Sequence, residues 1–337
     1  KFKDKISNLN MPDKNQDIDV TYRISGPFDF STNFNSRLAF VFGTCENKVL
    51  QEDAFINGKP ELLKNNEKFF IHTPSNWSKV GFIEAGFRED QVIVVPHGVD
   101  VETFNLISES EKKNIRDKYK IKSEDYILTN IGAMTQNKGV EDLIAAYGIL
   151  KKKNKNLKLI LKDQSNLYDR GANNPIKNMH DSKFNQKYKI FNDQMYKDMI
   201  IISENLNFRE IRNIYSITDC YVSPYKAEGF NLTPLEAAAC GTQIVVTDGG
   251  PTDDYFDDCM GFKIESKEEK LNDNIYLKPK TNSLIEILDS IINKTDNKKN
   301  KRSELVHKNF SWENVVKKLK KEFENKLSKW NKKLWKK

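Results

Sequence analysis

The feature that most constrains the fold is an alternation of short apolar runs with amphipathic stretches. Apolar residues cluster in nine runs, which suits strands covered on both faces of a parallel sheet. These runs cover residues 20–24, 38–42, 69–72, 92–95, 126–131, 157–162, 199–202, 219–223 and 243–247. Helical apolar spacing occupies residues 76–86, 140–153, 184–198, 208–217 and 234–240. The alternation predicts an α/β fold built on doubly wound parallel sheets.

Turn chemistry divides the chain into two expected domains. The turn-forming residues Pro-His-Gly-Val-Asp at 96–100 precede a charged stretch and then a new apolar run. We therefore expect one domain over residues 1–105, a second over 106–305 and a basic helix over 306–337. A chain of 337 residues is long enough for two domains of ordinary size.

Positive charge is concentrated at the end of the chain. Residues 293–337 hold 16 Lys or Arg and 5 Asp or Glu, whereas the whole chain has a formal net charge of +7. Apolar residues at helical spacing predict one face docked inward, formed by Trp312, Val316, Leu319 and Phe323. The remaining lysines are expected to be solvated, with contact to an anionic membrane as the alternative.

Composition excludes several classes of protein. Lys outnumbers Arg by 47 to 8, whereas base readout in nucleic acids favours Arg, so we expect no nucleic-acid partner. Four cysteines stand far apart, which predicts neither a zinc site nor a disulfide framework and suits a reducing, cytoplasmic compartment. No apolar stretch approaches 18 residues, so no transmembrane helix is expected. Residues 1–19 are polar and predict a flexible or weakly helical lead-in.

The most informative stretch reads SPYKAEGFNLTPLEAAACGTQIVVTDGG, residues 223–250. Here a buried strand is expected to end, followed by a loop and a short helix. Thr233 suits the N-cap of that helix, Pro234 its first position, and Glu236 the reciprocal partner of the cap. A helix N-terminus at the carboxyl end of a parallel strand is a favoured phosphate site.

Two carboxylates flank the same short loop. A structural role as the partner of the Thr233 cap would by itself account for Glu236, whereas no local structural role accounts for Glu228. A carboxylate beside a phosphate site repels the phosphate unless it faces hydroxyl groups, and a sugar or a ribose supplies such groups. Together the two carboxylates favour a functional site over a structural loop.

The segment E-G-F-N-L-T-P-L-E, residues 228–236, resembles the E-x7-E signature of retaining glycosyltransferases, especially family 4. Residues 73–77 and 92–100 resemble the end of that family's first domain, and residues 310–312 the start of its final helix. The resemblance extends over roughly residues 69–330. It implies the GT-B fold, in which two Rossmann-like domains face a cleft and the final helix crosses back to the first domain. The first domain is expected to be incomplete, because few residues precede the boundary.

The resemblance also implies an activity and a set of roles. The activity is metal-independent, retaining transfer of a sugar from a UDP- or GDP-linked donor to a hydroxyl of a sugar, lipid-linked or protein acceptor, with no further cofactor. Glu236 would hold the ribose hydroxyls, and Glu228 would face the donor sugar. The sugar and phosphates would lie against the residues that connect the two carboxylates, namely Gly229, Phe230, Asn231, Leu232 and Thr233.

A second element, G-A-M-T-Q-N-K-G at residues 132–139, resembles the family pattern G-R-x-x-x-x-K-G. The Arg and Lys of that pattern neutralise the donor diphosphate. Gly132 and Lys138 match it, but Ala133 stands in the place of the Arg. We expect another cation to substitute, with Lys162 and Arg209 as the candidates.

The first domain offers one candidate, and two other functions remain open. Glu46, which follows the run 38–42, is expected to serve the acceptor side as a polar group or base; an ordinary loop glutamate is the alternative. Ala133 and the short first domain favour a catalytically inactive, glycosyltransferase-like binding module. A nucleotide-sugar epimerase shares the fold, but it would require an arrangement of acids and histidine that the sequence does not reveal.

Overall fold

The computed structural model describes residues 17–168, 171–292 and 294–334, so most of the predicted lead-in at 1–19 lies outside the described residues. The strands are β1 (Ile18–Arg23), β2 (Phe28–Asp29), β3 (Ser36–Phe42), β4 (Phe55–Ile56), β5 (Phe69–Thr73), β6 (Val92–Val94), β7 (Tyr126–Ile131), β8 (Leu157–Lys162), β9 (Met199–Ile202), β10 (Cys220–Ser223), β11 (Gln243–Thr247), β12 (Gly261–Ile264), β13 (Ser266–Leu271) and β14 (Asn274–Pro279).

Helices connect most of these strands. They are α1 (Pro60–Leu63), α2 (Asn76–Glu84), α3 (Glu109–Lys118), α4 (Val140–Lys151), α5 (Ser165–Tyr168), α6 (Asn173–His180), α7 (Lys183–Tyr188), α8 (Asp193–Lys197), α9 (Phe208–Ile217), α10 (Leu232–Ala239), α11 (Thr281–Ile291), α12 (Lys299–Phe310) and α13 (Trp312–Leu334). All nine predicted strands are confirmed. The helix predicted at 184–198 is instead two helices, because Lys189 ends α7 with a left-handed backbone (φ 44°).

The first sheet has four parallel strands in the order β1-β3-β5-β6. One face packs on an aromatic cluster that includes Phe30, Phe69 and Phe82, each fully buried. The opposite face carries Leu38 and Phe40. The strand order runs in one direction without a reversal, so this sheet has no switch point of its own within the described residues.

The second sheet has six parallel strands in the order β12-β11-β10-β7-β8-β9. Counted from β7, this is the Rossmann order, and it reverses between β7 and β10. Apolar side chains fill both faces, as the continuous apolar runs predict. The loops after β7 and β10 therefore lie side by side at the carboxyl edge, where such sheets bind ligands.

The C-terminal helix α13 packs against the first sheet. Leu319 and Phe323 contact the face that carries Leu38 and Phe40, and the rings of Phe323 and Phe40 lie 4.4 Å apart. The predicted inward orientation is wrong for the first turn, because Trp312 and Val316 are 47% and 54% exposed. At the start of this helix the buried residue is Val315, which is 2% exposed, four positions before Leu319 and eight before Phe323.

A β-hairpin of β13 and β14 follows the second sheet and was not predicted. Its first strand reads SKEEKL and is mostly exposed, so the sequence lacks the apolar signal of a buried strand. A two-residue turn joins the strands, with Asn272 in the left-handed region (φ 54°). Among the described helices, none is both long and apolar enough to cross a membrane.

Candidate functional site

Hydrogen bonds join the loops after β7 and β10. The Lys226 N–H donates to the Asn137 carbonyl (2.6 Å), and the Asn137 side chain donates to the Ala227 carbonyl (3.2 Å). Gly139 follows with φ +64°, and a Cβ at this position would lie 1.9 Å from the Pro224 carbonyl oxygen. Only glycine fits such an approach, so the two loops form one unit at the reversal of strand order.

At the centre of this unit, the Lys138 ammonium pairs with the Glu228 carboxylate. The Glu228 side chain is only 8% exposed. Burial raises the pKa of Glu228, the charge of Lys138 opposes that rise, and the negative charge of Glu46 adds to it. The structure therefore brings together three predicted residues from three distant segments.

Helix α10 begins two residues earlier than predicted. Its N-cap is Asn231, in a left-handed conformation (φ 65°, ψ 71°), so the predicted cap at Thr233 with Pro234 in first position is wrong. Asn231 is held in place because its amide donates to Ser223 (2.9 Å) and its carbonyl accepts from the Tyr255 hydroxyl (2.8 Å). No side chain caps the helix, which leaves its first N–H groups available to a ligand.

Glu236 lies in the second turn of α10 and does not return to the N-cap. Its carboxylate accepts from the Tyr215 hydroxyl of α9 at 3.0 Å. Burial raises the pKa of Glu236 to about 7, which the Tyr215 hydrogen bond only partly offsets. Sequence reasoning missed Tyr215, because it is indistinguishable from the core aromatics of an amphipathic helix. The Thr233 hydroxyl instead accepts a hydrogen bond from the Tyr221 hydroxyl (2.8 Å).

Gly229 lies against the loops of the first sheet. The Ser75 hydroxyl donates to the Gly229 carbonyl (2.6 Å), and a Cβ at this glycine would lie 3.1 Å from Cβ of Thr44. The Phe230 side chain is buried, with its ring centroid 5.2 Å from that of His97, so only its backbone is available to a ligand. Leu232 is the first residue of α10 and is half-buried.

Polar contacts hold the two sheets together near this site. Asp254, on the other side of the cleft, accepts from the backbone N–H of Asn76 at 2.6 Å and so satisfies the first N–H of α2, in addition to the Ser75 N-cap. His97 contacts the rings of Phe42, Phe230 and Trp312, and it thereby packs between strand β3, the site loop and α13. Neither contact was predicted, since each joins residues that are distant in sequence.

Gly132 and Lys162 lie on adjacent strand ends. The Gly132 N–H donates to the Lys162 carbonyl at 3.1 Å, and a Cβ at Gly132 would meet only the Lys138 side chain, at 3.9 Å. Lys162 is 4% exposed, and its ammonium donates to the Asp163 carbonyl. Among the residues the structure describes, no carboxylate forms an ion pair with Lys162. Arg209 is exposed in the first turn of α9.

This arrangement is accompanied by a match to a known family. The family model described as "Glycosyl transferases group 1" matches residues 111–280, half of the chain. The chain belongs to the glycosyl transferases group 1 family. The matched region contains both loops, helix α10 and the hairpin.

Curated relatives are more distant and longer. The lipopolysaccharide 1,2-N-acetylglucosaminetransferase of Salmonella typhimurium is 24% identical over 275 residues, which cover 79% of this chain and 64% of that protein. The D-inositol 3-phosphate glycosyltransferase of Paenarthrobacter aurescens is 26% identical over 193 residues, or 57% of this chain and 43% of that protein. The chain thus spans less than two thirds of the length of these relatives.

Solved glycosyltransferase structures share the fold. Anabaena Alr3699/HepE in complex with UDP and glucose matches with a TM-score of 0.63 and 16% identity, covering 86% of this chain and 72% of that one. Sucrose-phosphate synthase from Thermosynechococcus elongatus matches with a TM-score of 0.64 and 17% identity, covering 87% and 68%. The group 1 chain therefore has the expected GT-B fold, with two Rossmann-like parallel sheets. The domain limits 1–105, 106–305 and 306–337 stay predictions.

Proposed function

We propose that this chain transfers a sugar from a UDP- or GDP-linked donor to a hydroxyl acceptor, with retention of anomeric configuration and without a metal ion. The observation that carries the proposal is the convergence of Lys138, Glu228 and Glu236 on the reversal of strand order, next to an uncapped helix. Membership of the glycosyl transferases group 1 family and the UDP in the Anabaena structure support it.

In this proposal the diphosphate lies at the N-terminus of α10. The helix dipole, the free N–H groups and Lys138 favour its negative charge. Lys138 exchanges the Glu228 carboxylate for a phosphate oxygen, which frees Glu228 to accept from hydroxyls of the donor sugar. Glu236 accepts from the ribose hydroxyls, and Lys162 supplies the second cation in place of the Arg that is absent at Ala133.

The chemical step follows from these positions. The bond between the anomeric carbon and the diphosphate oxygen breaks, and the acceptor oxygen bonds to the same face of that carbon. Lys138 and the helix N-terminus stabilise the charge that develops on the diphosphate. Glu46 orients the acceptor hydroxyl, whose proton passes to the departing phosphate oxygen. Neither Glu228 nor Glu236 acts as a nucleophile.

Thermal-shift measurements with UDP, GDP and ADP test donor binding. We expect one of these nucleotides to raise the melting temperature of the parent protein. Glu236→Ala should reduce that rise, whereas Glu286→Ala, an exposed carboxylate on α11, should leave it unchanged. An equal nucleotide response in both variants would remove Glu236 from the ribose site.

Product analysis tests the reaction itself. NMR of the product should show the anomeric configuration of the donor, and an inverted product would contradict the mechanism. Transfer should persist in EDTA at unchanged rate. No three His, Cys, Asp or Glu side chains form a candidate metal site in the described part of the chain.

Ala133 favours a second candidate, a catalytically inactive binding module. Loss of one of two cations on a leaving diphosphate costs transition-state stabilisation of about 3 kcal/mol. Such a module would bind the nucleotide but release no sugar from the donor. Introducing Ala133→Arg distinguishes the two, because the variant should gain turnover if the missing cation alone limits the reaction.

Contact with an anionic membrane is part of the proposal for the acceptor side. Helix α13 exposes a series of lysines, namely Lys317, Lys318, Lys320, Lys321, Lys329 and Lys332. Such a surface binds anionic headgroups electrostatically. Co-sedimentation should occur with anionic liposomes and decline with salt, and equal binding to neutral liposomes would contradict it. A cytoplasmic location stays a prediction.

A further inference from the structure

The hairpin of residues 266–279 reaches from the second sheet to the loop that carries Glu46. The Ile275 N–H donates to the Asn47 carbonyl at 3.0 Å, and the Gln51 side chain donates to Asn274 at 2.7 Å. On its inner side the hairpin is anchored by the Leu277 N–H, which donates to the Lys226 carbonyl at 2.7 Å. The hairpin therefore bridges the two sheets.

A cavity of about 920 Å³ lies beneath this bridge. Glu46 and Asn47 form its wall on the first sheet, residues 135–137 form the opposite wall, and residues 276–278 of the hairpin close the third side. Its volume is at the upper end of the range of about 300–1,000 Å³ for small-molecule sites. It can hold a ligand larger than a monosaccharide.

The cavity adjoins the Lys138–Glu228 pair. Asn137, in its wall, directly precedes Lys138 and is hydrogen-bonded to the loop that leads to Glu228. Glu46, in the facing wall, lies close enough to Glu228 for its charge to raise the pKa of that carboxyl. A molecule in the cavity therefore lies next to the proposed donor sugar and outside the nucleotide site.

We propose that this cavity is the acceptor subsite and that it takes an uncharged, hydroxyl-rich acceptor end, a sugar or polyol without a phosphate. The proposal rests on the glycosyl transfer proposed above and adds the class of acceptor and the role of the 266–279 hairpin.

The charged side chains around the cavity indicate which class of acceptor it can bind. Three acidic and three basic side chains line it: Glu46, Glu141, Glu269, Lys226, Lys270 and Lys278. Each lysine already has a carboxylate near it, Lys226 with Asp142 at 3.6 Å, Lys278 with Glu269 at 2.9 Å and Lys270 with Asp273 at 3.9 Å. A phosphate would compete with these carboxylates for the lysines, and the three acidic and three basic side chains of the lining cancel, so the cavity has no net positive charge to attract it.

The uncharged groups of the cavity suit hydroxyls. Gln136 contributes an amide, which both donates and accepts hydrogen bonds, and Tyr276 contributes a hydroxyl and an aromatic ring. The amide groups of Asn47 and Asn137 also line the cavity and already donate to Asn274 and Ala227. A sugar ring presents hydroxyls at its edge and C–H groups on its faces, which match amides and an aromatic ring respectively. An acyl chain would cover the Gln136 amide without offering it a hydrogen bond, at a cost.

Binding measured without turnover tests this proposal. Saturation-transfer NMR with methyl α-glucoside, methyl β-galactoside, glycerol and glucose 6-phosphate should show that at least one uncharged probe binds the parent protein. Gln136→Ala and Tyr276→Ala alter two different walls and should each weaken that binding about tenfold, by loss of a hydrogen bond or ring contact. Lys267→Ala, exposed on the hairpin and outside the cavity, is the matched control and should bind as the parent does.

The outcomes separate this proposal from the proposed function. The thermal shift caused by nucleotide should be equal in all three variants, and its absence in the parent would refute the donor site alone. The acceptor subsite is overturned if none of the uncharged probes binds, or if both cavity variants bind like the parent. Tighter binding of glucose 6-phosphate than of the uncharged probes overturns the class of acceptor.

Discussion

Replacing Glu236 by Gln should make the protein more stable at high pH and leave its stability at low pH unchanged. The carboxyl is buried against Tyr215, and burial raises its pKa from 4.5 to about 7. Between these values the folded chain keeps a proton that the unfolded chain releases, so stability falls as pH rises through this window. A shift from 4.5 to about 7, at about 1.36 kcal/mol per unit, costs about 3 kcal/mol once the pH exceeds the folded pKa.

Glutamine keeps the shape and can still accept from Tyr215, but it carries no charge at any pH. For a folding unit of about 200 residues, about 3 kcal/mol corresponds to a shift of about 6–12 °C in melting temperature. Melting curves at pH 4 and pH 8 should show the variant and the parent nearly together at pH 4 and separated by this amount at pH 8. Glu286→Gln controls for a general effect of removing a charge. A separation that is equal at both pH values would refute the reasoning.

Three other substitutions test the fold and the site. Gly139→Ala should destabilise the protein by more than Gly86→Ala in urea unfolding, because both have positive φ but only position 139 meets a backbone carbonyl at 1.9 Å; equal losses would show that the loop yields. Lys162→Met should weaken UDP binding about tenfold and leave uridine binding unchanged, as measured by calorimetry, since only UDP carries a diphosphate; an equal loss for both would place Lys162 at the base. Phe323→Ala should cost about 2–4 kcal/mol in unfolding free energy and Val316→Ala less than about 0.5, because only Phe323 packs on the first sheet; similar costs would contradict the observed burial of Phe323 and exposure of Val316.

The strands of both sheets were predictable because burial on both faces demands continuous apolar residues. The runs 126–131 and 219–223 could be assigned as strands from their own residues alone, without knowing which strands they pair with. The hairpin was not predictable in the same way. Residues 266–271 form a strand because they pair with residues 274–279 and contact the first domain. Neither interaction requires apolar residues, so the charged, exposed sequence carries no strand signal.

In the site, too, local features could be predicted from the sequence and tertiary contacts could not. The motif at 228–236 and Lys138 were recognisable from residue type and spacing, but their contact joins residues that are 90 positions apart. The start of α10 was misplaced because Thr233 and Pro234 are favourable residues for a cap, while Asn231 adopts its left-handed conformation through partners at Ser223 and Tyr255. Tertiary hydrogen bonds overrode local preference there.

The docking of α13 on the first sheet has a consequence for biosynthesis. Tyr22 and Phe323 lie near opposite ends of the described chain, yet their rings are 5.5 Å apart. A ribosome adds about 5–20 residues per second, and α13 is translated after both sheets. One apolar face of the nascent first sheet therefore stays uncovered until α13 has emerged. Holdase chaperones recognise such exposed faces, and loss of the last turns by premature termination would leave the face open permanently.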